Sequence, residues 1–231
     1  MMNKKIVLIT GSNKGIGFET ARQLLELDYD VYISSRDISK GHEAVENLSK
    51  MGFNPRYVQI DVTNPDSILA AKNQVEEEVG KIDILINNAG IMLEKSGILE
   101  LTLDTLEKTI QTNVYGPFLM INTFYPIINS GGKILNLSSI IGQLKSMKNY
   151  SPAYSLSKTA LNALTRQFAA ALAKQNIAVY SIHPGWVKTD MGGTDAQLEL
   201  KDGAFTSVWL ATEGTMAQTG KFFYRKNELD W

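Results

Sequence analysis

The chain has 231 residues, of which 44% are hydrophobic and 20% charged, which is enough apolar material for the core of one soluble globular domain. Its net charge of -1 excludes the basic surface of a nucleic-acid-binding domain. The lack of cysteine excludes disulfides and thiolate metal sites, and the two histidines, His42 and His183, are too far apart in sequence to form a metal-ligand pattern.

Nothing in the sequence predicts contact with a membrane. No apolar run reaches the length of about 18 residues that spans a bilayer. Residues 1–5 lead directly into a short apolar run and are too few for a signal peptide with its apolar region and cleavage site. We therefore expect a cytoplasmic protein.

Short apolar runs alternate with amphipathic stretches along the chain. The runs predict strands at residues 5–10, 30–34, 56–60, 82–86, 133–137 and 178–182, and a short one at 221–224. The stretches predict helices at residues 16–27, 39–51, 66–79, 103–114, 117–128 and 152–174. This alternation predicts a parallel α/β sheet covered by helices on both faces. The least patterned segment, 191–200, is the candidate for a mobile substrate loop.

The turn between the first strand and the first helix is rich in glycine, since residues 10–17 read TGSNKGIG. Glycines allow the backbone there to approach a pyrophosphate, which binds at the N-terminus of a helix. The spacing differs from the common G-x-G-x-x-G, and the alternative is a plain strand-to-helix turn. Its place in the first βα unit favours a nucleotide site made of Gly11, Ser12, Asn13, Lys14, Gly15, Ile16 and Gly17.

The end of the second strand indicates which dinucleotide would bind. An acidic residue at this position usually holds the ribose 2′-OH of NAD, but here Ser35 and Arg36 come first and Asp37 follows. Ser35 leaves room for a 2′-phosphate, Arg36 gives it a planar cation, and Lys14 offers a second charge. These residues favour NADP(H) over NAD(H). The alternatives are that both cations are solvated and that Asp37 holds a ribose.

Tyr154 and Lys158 lie four residues apart at the start of the longest predicted helix, and therefore on the same face. A neighbouring ammonium group favours the phenolate and lowers the pKa of a tyrosine. The pair has the form of a proton donor and acceptor. On its own it is a weak signal, because Y-x-x-x-K occurs by chance in many helices.

In this order along the chain, the motifs resemble those of the short-chain dehydrogenase/reductase family. The residues that carry the resemblance are 10–17, Asp61-Val62, Asn87-Asn88-Ala89-Gly90, Asn113, Asn136-Leu137-Ser138-Ser139, Tyr154 with Lys158, and 184–189. The sequences of residues 13–17, 35–37 and 184–191 are similar to those of carbonyl reductases. Monomeric animal carbonyl reductases carry a long helical insertion before the active-site tyrosine. Here residues 140–153 alone separate Ser139 from Tyr154.

The resemblance implies a single Rossmann-type domain over residues 1–231, doubly wound, with about seven parallel strands in the order 3-2-1-4-5-6-7. It also implies a catalytic role for four residues. Tyr154 would be the general acid, Lys158 would lower its pKa and bind the nicotinamide ribose, and Ser139 would donate a hydrogen bond to the substrate oxygen. Asn113 would hold a water that resupplies protons; its alternative role is at a helix kink, bonding backbone groups freed there. Ser138 competes with Ser139, and the family match favours Ser139.

By the same resemblance, further residues would line the cofactor. Asp61 would reach the adenine and Val62 would line its ring, although Asp61 could instead cap a helix near Asn64. The rest of this set is Asn87, Ala89, Gly90, Pro184, Gly185, Val187 and Thr189. His183 fits a strand end better than a catalytic role.

Tyr150, Trp186 and Met191 are candidates for a substrate pocket and equally for ordinary packing, whereas Trp209 is expected in the core. The predicted function is NADPH-dependent reduction of a small carbonyl compound (an aldehyde, ketone or quinone) to an alcohol. The alternatives are a 3-oxoacyl-thioester or steroid reductase of the same family, and a regulatory protein that binds NADPH without turnover.

We also expect a homodimer or homotetramer. Family members pair through the two helices that here span 117–128 and 152–174. Small residues on the second helix would permit close approach: Ala160, Ala163, Ala169, Ala170 and Ala171.

Overall fold

A single sheet organises the computed structural model, which describes residues 4–94 and 96–231. Its strands are β1 (Ile6–Ile9), β2 (Asp30–Ser35), β3 (Arg56–Gln59), β4 (Ile82–Asn87), β5 (Ile128–Leu137), β6 (Ala178–His183), β7 (Phe222–Tyr224) and β8 (Asn227–Leu229). They lie in the order β3-β2-β1-β4-β5-β6-β7-β8. The predicted order of the first seven strands, all parallel, is therefore confirmed. Residues 1–3, at the start of the predicted domain, lie outside the described residues.

The eighth strand was not predicted. β8 pairs antiparallel with β7 and covers that edge of the sheet. Asn227 and Glu228 are exposed, and the strand is three residues long. It therefore lacks the apolar run that reveals a buried strand, and the chain reversal after Tyr224 determines its pairing.

Helices cover both faces of the sheet. They are α1 (Gly15–Glu26), α2 (Ile38–Lys50), α3 (Pro65–Val79), α4 (Leu103–Ile110), α5 (Gly116–Phe124), α6 (Pro152–Leu172) and α7 (Leu200–Glu213). Because side chains alternate along a strand, β1 directs Leu8 into one core and Val7 and Ile9 into the other. The first core includes Ile68 of α3 and Phe124 of α5, and the second packs against α1, α2 and α7.

The two helices predicted at 103–114 and 117–128 form one continuous helical segment. A π-helical turn, Gln111–Tyr115, joins α4 to α5, and a short 3-10 turn, Tyr125–Ile127, ends it. Pro117 lies in the first turn of α5, close after the π-helical turn, and has no N–H to donate to it, so the helical hydrogen bonding is interrupted at this junction. The strand that follows begins at Ile128, five residues before the predicted start, since Ile128 pairs with Ile82 across an irregularity in the β4–β5 ladder.

Two buried residues, Trp209 of α7 and Lys133 of β5, fix the C-terminal end of α7 to the sheet. Trp209 packs edge-on against Phe223, with 5.5 Å between ring centroids, which confirms the predicted core position. The Lys133 ammonium donates to the carbonyl oxygens of Ala211, at 2.7 Å, and Thr212, at 3.4 Å. Cations at a helix C-terminus are stabilising, but burial lowers the pKa of Lys133 to about 8.

Within residues 4–94 and 96–231, no helix has both the length and the apolar composition needed to cross a bilayer.

Candidate active site

The glycine turn after β1 leaves the N-terminus of α1 open. Lys14 stands at the N-cap but its side chain does not cap the helix, and the first turn of α1 holds no acidic residue. In contrast, Asp37, Asn64 and Thr102 cap α2, α3 and α4 with their side chains. The exposed N–H groups of α1 therefore form an anion site of the kind that holds a pyrophosphate.

Close packing explains two glycines of this turn. Gly11 has φ +60°, and a Cβ there would lie 3.1 Å from Ala89. A Cβ on Gly17 would lie 2.4 Å from the Asn88 side-chain nitrogen, which donates to the carbonyls of Thr10 and Gly11. The turn after β1 is therefore joined to the segment after β4, and the predicted residues from both motifs come together.

The residues predicted to bind the 2′-phosphate differ in their exposure and in their hydrogen-bond partners. Arg36 is exposed directly after β2, and Ser35 is buried with its hydroxyl bonded to the Asp37 carbonyl. Asp37 caps α2 by accepting from the Lys40 N–H at 3.1 Å with one of its two carboxylate oxygens. Lys14 forms an ion pair with Asp190, a contact that the sequence did not predict.

Arg36 and Asp61 line one polar cleft of about 420 Å³, beside Gln59. The Asp61 carboxylate accepts from the N–H and the hydroxyl of Thr63, at 2.9 and 2.7 Å, whereas Asn64 caps α3 itself. The helix-cap alternative for Asp61 is therefore wrong. Val62 is buried and packs against Gly116.

The Asn87 side chain is buried against the neighbouring strand β5. It donates to the Asn136 side chain at 2.8 Å, and Asn136 in turn donates to Thr165 at 2.9 Å. Ala89 and Gly90 follow it at the carboxyl end of β4, where Gly90 lies against Asn113 and Lys158.

Tyr154 and Lys158 lie on the first two turns of α6, facing the carboxyl end of β5. The buried Lys158 ammonium lies 5.2 Å from the centroid of the Tyr154 ring and donates to the Leu137 carbonyl at 2.6 Å. Ser139 follows β5, and its side chain lies close enough to the Tyr154 phenol to influence its pKa. The structure therefore brings three of the predicted catalytic residues together.

Burial dominates the electrostatics of this pair. It raises the pKa of Tyr154 to about 12, an effect that the nearby Ser139 side chain opposes. It lowers the pKa of Lys158 to about 8. The net shift of Tyr154 is opposite to the lowered pKa predicted from its spacing to Lys158, because spacing carries no information about desolvation. A pKa near 12 keeps the phenol protonated at neutral pH.

Asn113 lies in the π-helical turn and is buried. Its side-chain oxygen accepts from the Ile91 N–H at 2.8 Å, and its nitrogen donates to the Ile91 carbonyl and the Ser157 hydroxyl. Its helix is irregular, as the alternative role assumed, but the groups it bonds belong to another segment and not to its own helix. Asn113 therefore fixes the chain after Gly90 beside Lys158.

The neighbouring Ser138 is a structural residue in this arrangement. Its hydroxyl is buried and donates to the Lys158 carbonyl at 3.3 Å. His183 ends β6, where its Nδ1 accepts from the Ile140 N–H and its ring lies 5.2 Å from that of Tyr224. Burial lowers the pKa of His183 to about 4.

The segment after β6 closes back toward the glycine turn. Gly185 has φ +89°, a conformation that favours glycine, and Val187 is buried and bridges to Leu198. A Cβ on Gly15 would lie 3.8 Å from the Thr189 methyl group. The predicted residues from Pro184 to Thr189 therefore lie over the start of α1.

The substrate candidates lie on the segments after β5 and β6. Tyr150 is 47% exposed and Trp186 is 53% exposed, and the Trp186 indole donates to the Gly192 carbonyl at 2.9 Å. Met191 is half-buried. Their exposure rules out ordinary core packing for both aromatic residues.

Three further residues, which sequence reasoning missed, support this site. Glu94 accepts from the N–H groups of Ala153 and Tyr154, and Ser157 links Asn113 to the Tyr154 carbonyl. Gly142 packs directly on Lys158, since a Cβ there would lie 2.8 Å from its backbone. Gly142 could have been identified from the sequence, because it is a glycine only three residues after Ser139. Glu94 could not, because its partners lie about 60 residues further along the chain.

Comparisons with known proteins agree with this architecture. The family model described as short chain dehydrogenase matches residues 5–199. Carbonyl reductase [NADPH] 1 of Rattus norvegicus is 30% identical over 99% of both chains, across 276 aligned positions. A short-chain dehydrogenase of Penicillium roqueforti is 35% identical over 99% of this chain and 97% of its own.

Solved structures show the same likeness. The carbonyl reductase Sniffer of D. melanogaster superimposes with a TM-score of 0.92 and 30% identity, covering 99% of this chain and 100% of its own. The NADPH-bound carbonyl reductase from chicken fatty liver gives a TM-score of 0.91 at 30% identity, with both chains fully covered.

Proposed function

The chain belongs to the short-chain dehydrogenase family, in its carbonyl-reductase-like branch, and from this premise we propose that it is an NADPH-dependent reductase of small carbonyl compounds. The observation that carries the proposal is the buried pair of Tyr154 and Lys158, which lies beside Ser139. The Lys158 ammonium is 5.2 Å from the centroid of the Tyr154 ring. A buried acid and base next to a nucleotide groove are what hydride transfer to a carbonyl requires.

The residues of the groove fit a phosphorylated dinucleotide. The uncapped N-terminus of α1 and the close approach at Gly11 and Gly17 suit a pyrophosphate. Arg36 would hold the 2′-phosphate through its exposed guanidinium, and Asp37 uses one carboxylate oxygen to cap α2. Both rat and chicken relatives are named as NADPH enzymes or complexes, which supports the same choice. When bound, the cofactor supplies the hydride.

The chain itself supplies the proton and the orientation. Tyr154 is protonated at neutral pH and would donate its proton to the carbonyl oxygen as that oxygen gains charge. Ser139 would donate a second hydrogen bond to the same oxygen. Lys158, fixed by the Leu137 carbonyl, would then favour the resulting phenolate until it is reprotonated.

A replacement proton would reach Lys158, and then Tyr154, from solvent through the Asn113 region. Both side-chain N–H groups of Asn113 are used, on Ile91 and Ser157. A water there would have to donate to its side-chain oxygen or to a carbonyl of the π-helical turn. We place the resupplying water at this position.

The test is NADPH oxidation, followed at 340 nm, across a panel of aldehydes, ketones, diketones and quinones. We expect turnover with at least one class and little with 3-oxoacyl thioesters. Tight NADPH binding without turnover on any compound would favour the non-catalytic regulatory protein. Turnover confined to 3-oxoacyl thioesters or steroids would assign the chain to those reductases.

The pH dependence should report the buried lysine. In the reduction direction both Tyr154 and Lys158 are required in protonated form, with pKa values of about 12 and 8. We therefore expect kcat/KM to be constant below neutrality and to fall about tenfold per unit as pH rises through 8. A profile that stays flat to pH 10 would contradict this role.

Lys133 gives the matched control for that profile. Burial also lowers its pKa to about 8, but it bonds the end of α7. The fall in kcat/KM should persist in Lys133→Met. If the fall in kcat/KM disappeared in Lys133→Met, the titrating group would be Lys133 and not Lys158.

We further propose that two copies pair through the face formed by α5 and α6. Tyr115, Phe118 and Tyr125 are exposed on one side of this face, and Leu156 on the other. Of the predicted alanines, Ala163, Ala170 and Ala171 are exposed and suit close approach, whereas Ala169 is buried in the core and cannot contribute. Light scattering at micromolar concentration should give at least the mass of a dimer, and a monomer would contradict the proposal.

A further inference from the structure

The N-terminus of α6, which carries Tyr154 and Lys158, is held from outside its own sequence. A helix leaves its first four N–H groups without partners inside the helix, and a serine at the N-cap commonly supplies an acceptor. Ser151 stands at this N-cap but makes no capping bond, because it has φ +45° and its hydroxyl donates to the Glu94 carbonyl at 2.8 Å.

The segment containing Glu94 satisfies every one of these N–H groups. The Ser151 N–H donates to the Ser96 carbonyl at 3.2 Å, and Pro152 has no N–H. The next two N–H groups, of Ala153 and Tyr154, donate to the same Glu94 carboxylate oxygen at 2.9 and 3.3 Å. The acceptor for the catalytic tyrosine's own backbone is therefore a side chain 60 residues earlier in the chain.

This arrangement carries a cost in stability. The second Glu94 oxygen is buried and has no hydrogen-bond partner among the described residues. Burying a carboxylate oxygen without a partner is unfavourable, and the two bonds of the first oxygen to the α6 N–H groups oppose that cost.

The segment before Glu94 is fixed at its other end by the site. Asn113 bonds both the N–H and the carbonyl of Ile91, which follows Gly90 directly. Residues 91–94 therefore form a short link whose ends are tied to the Asn113–Lys158 region and to the amides at Tyr154.

From this geometry we infer that Glu94 is a positioning residue for the reaction, which sets the place of Tyr154 relative to the segment after β4. The inference rests on the proposed function. Glu94 touches no reacting atom; it acts through the backbone of Tyr154. A shift of the phenol by about 1 Å can cost on the order of a hundredfold in rate, whereas cofactor binding through the turn after β1 does not depend on it.

The test compares Glu94→Ala with Glu94→Gln. The alanine variant leaves the two N–H groups without an acceptor, and we expect kcat to fall at least about tenfold, with the NADPH dissociation constant unchanged within about twofold. Glutamine retains an oxygen in the same place, and we expect it to restore most of kcat. Amide hydrogen exchange of a peptide covering residues 152–156 should be faster in Glu94→Ala and near wild type in Glu94→Gln.

Thr102→Ala is the control for the loss of a helix cap, since Thr102 caps α4 by accepting from the Thr105 N–H at 3.2 Å. It should lower the melting temperature with kcat unchanged. The inference fails if Glu94→Ala retains full kcat, if glutamine restores nothing, or if NADPH affinity falls together with kcat. Wild-type protein without turnover on any carbonyl compound would instead refute the proposed function, and the positioning role with it.

Discussion

Tyr154→Phe is expected to lower kcat for carbonyl reduction by about 10²–10⁴-fold, the range that a general acid contributes. The phenol, with a pKa raised by burial to about 12, is the proton donor of the proposed mechanism. Phenylalanine retains the ring beside the Lys158 ammonium, so the packing of α6 should be preserved. The measurement is single-turnover NADPH oxidation with the best substrate of the panel.

Two observations accompany this prediction. NADPH titration, followed by its fluorescence, should give an unchanged dissociation constant in Tyr154→Phe. Tyr29→Phe is the control, because burial also raises the pKa of Tyr29, which lies before β2 at the opposite end of the sheet. Equal losses in both variants, or no loss in Tyr154→Phe, would remove Tyr154 from the proposed role.

The second large effect concerns cofactor choice. We expect Arg36→Ala to lower kcat/KM for NADPH by about 10- to 100-fold, which corresponds to the loss of a hydrogen-bonded charge pair of about 1.5–3 kcal/mol. The value for NADH should change little, because the unphosphorylated ribose gives Arg36 no charged partner. The ratio of the two kcat/KM values is the quantity to compare.

Lys14 provides the contrast within the same groove. Because it is paired with Asp190, Lys14→Ala should reduce the NADPH preference less than Arg36→Ala does. Both side chains of that pair are exposed, so breaking it costs little. Asp190→Asn should release the lysine and increase the preference for NADPH. If Arg36→Ala and Lys14→Ala both left the NADPH/NADH ratio unchanged, the assignment of the 2′-phosphate site would be wrong.

Much of the fold could be predicted because its elements are locally encoded. The buried apolar strands and the glycine turn are continuous in sequence, and the parallel arrangement of the strands follows from their alternation with helices, whereas their order was implied by the family resemblance. Element ends were less predictable: β5 begins at Ile128, where the apolar pattern allowed a helix, and β8 has no pattern of its own.

The sequence by itself determined the βα architecture, the glycine turn and the shared face of Tyr154 and Lys158, since these depend on neighbours within one turn or strand. Only the tertiary structure decided the Glu94 cap of α6, the bonds of Asn113 to Ile91 and the ion pair of Lys14 with Asp190. These contacts join residues 59, 22 and 176 positions apart, and no local periodicity encodes them. The raised pKa of Tyr154 belongs with them, because desolvation is a property of the packed site and not of spacing along a helix.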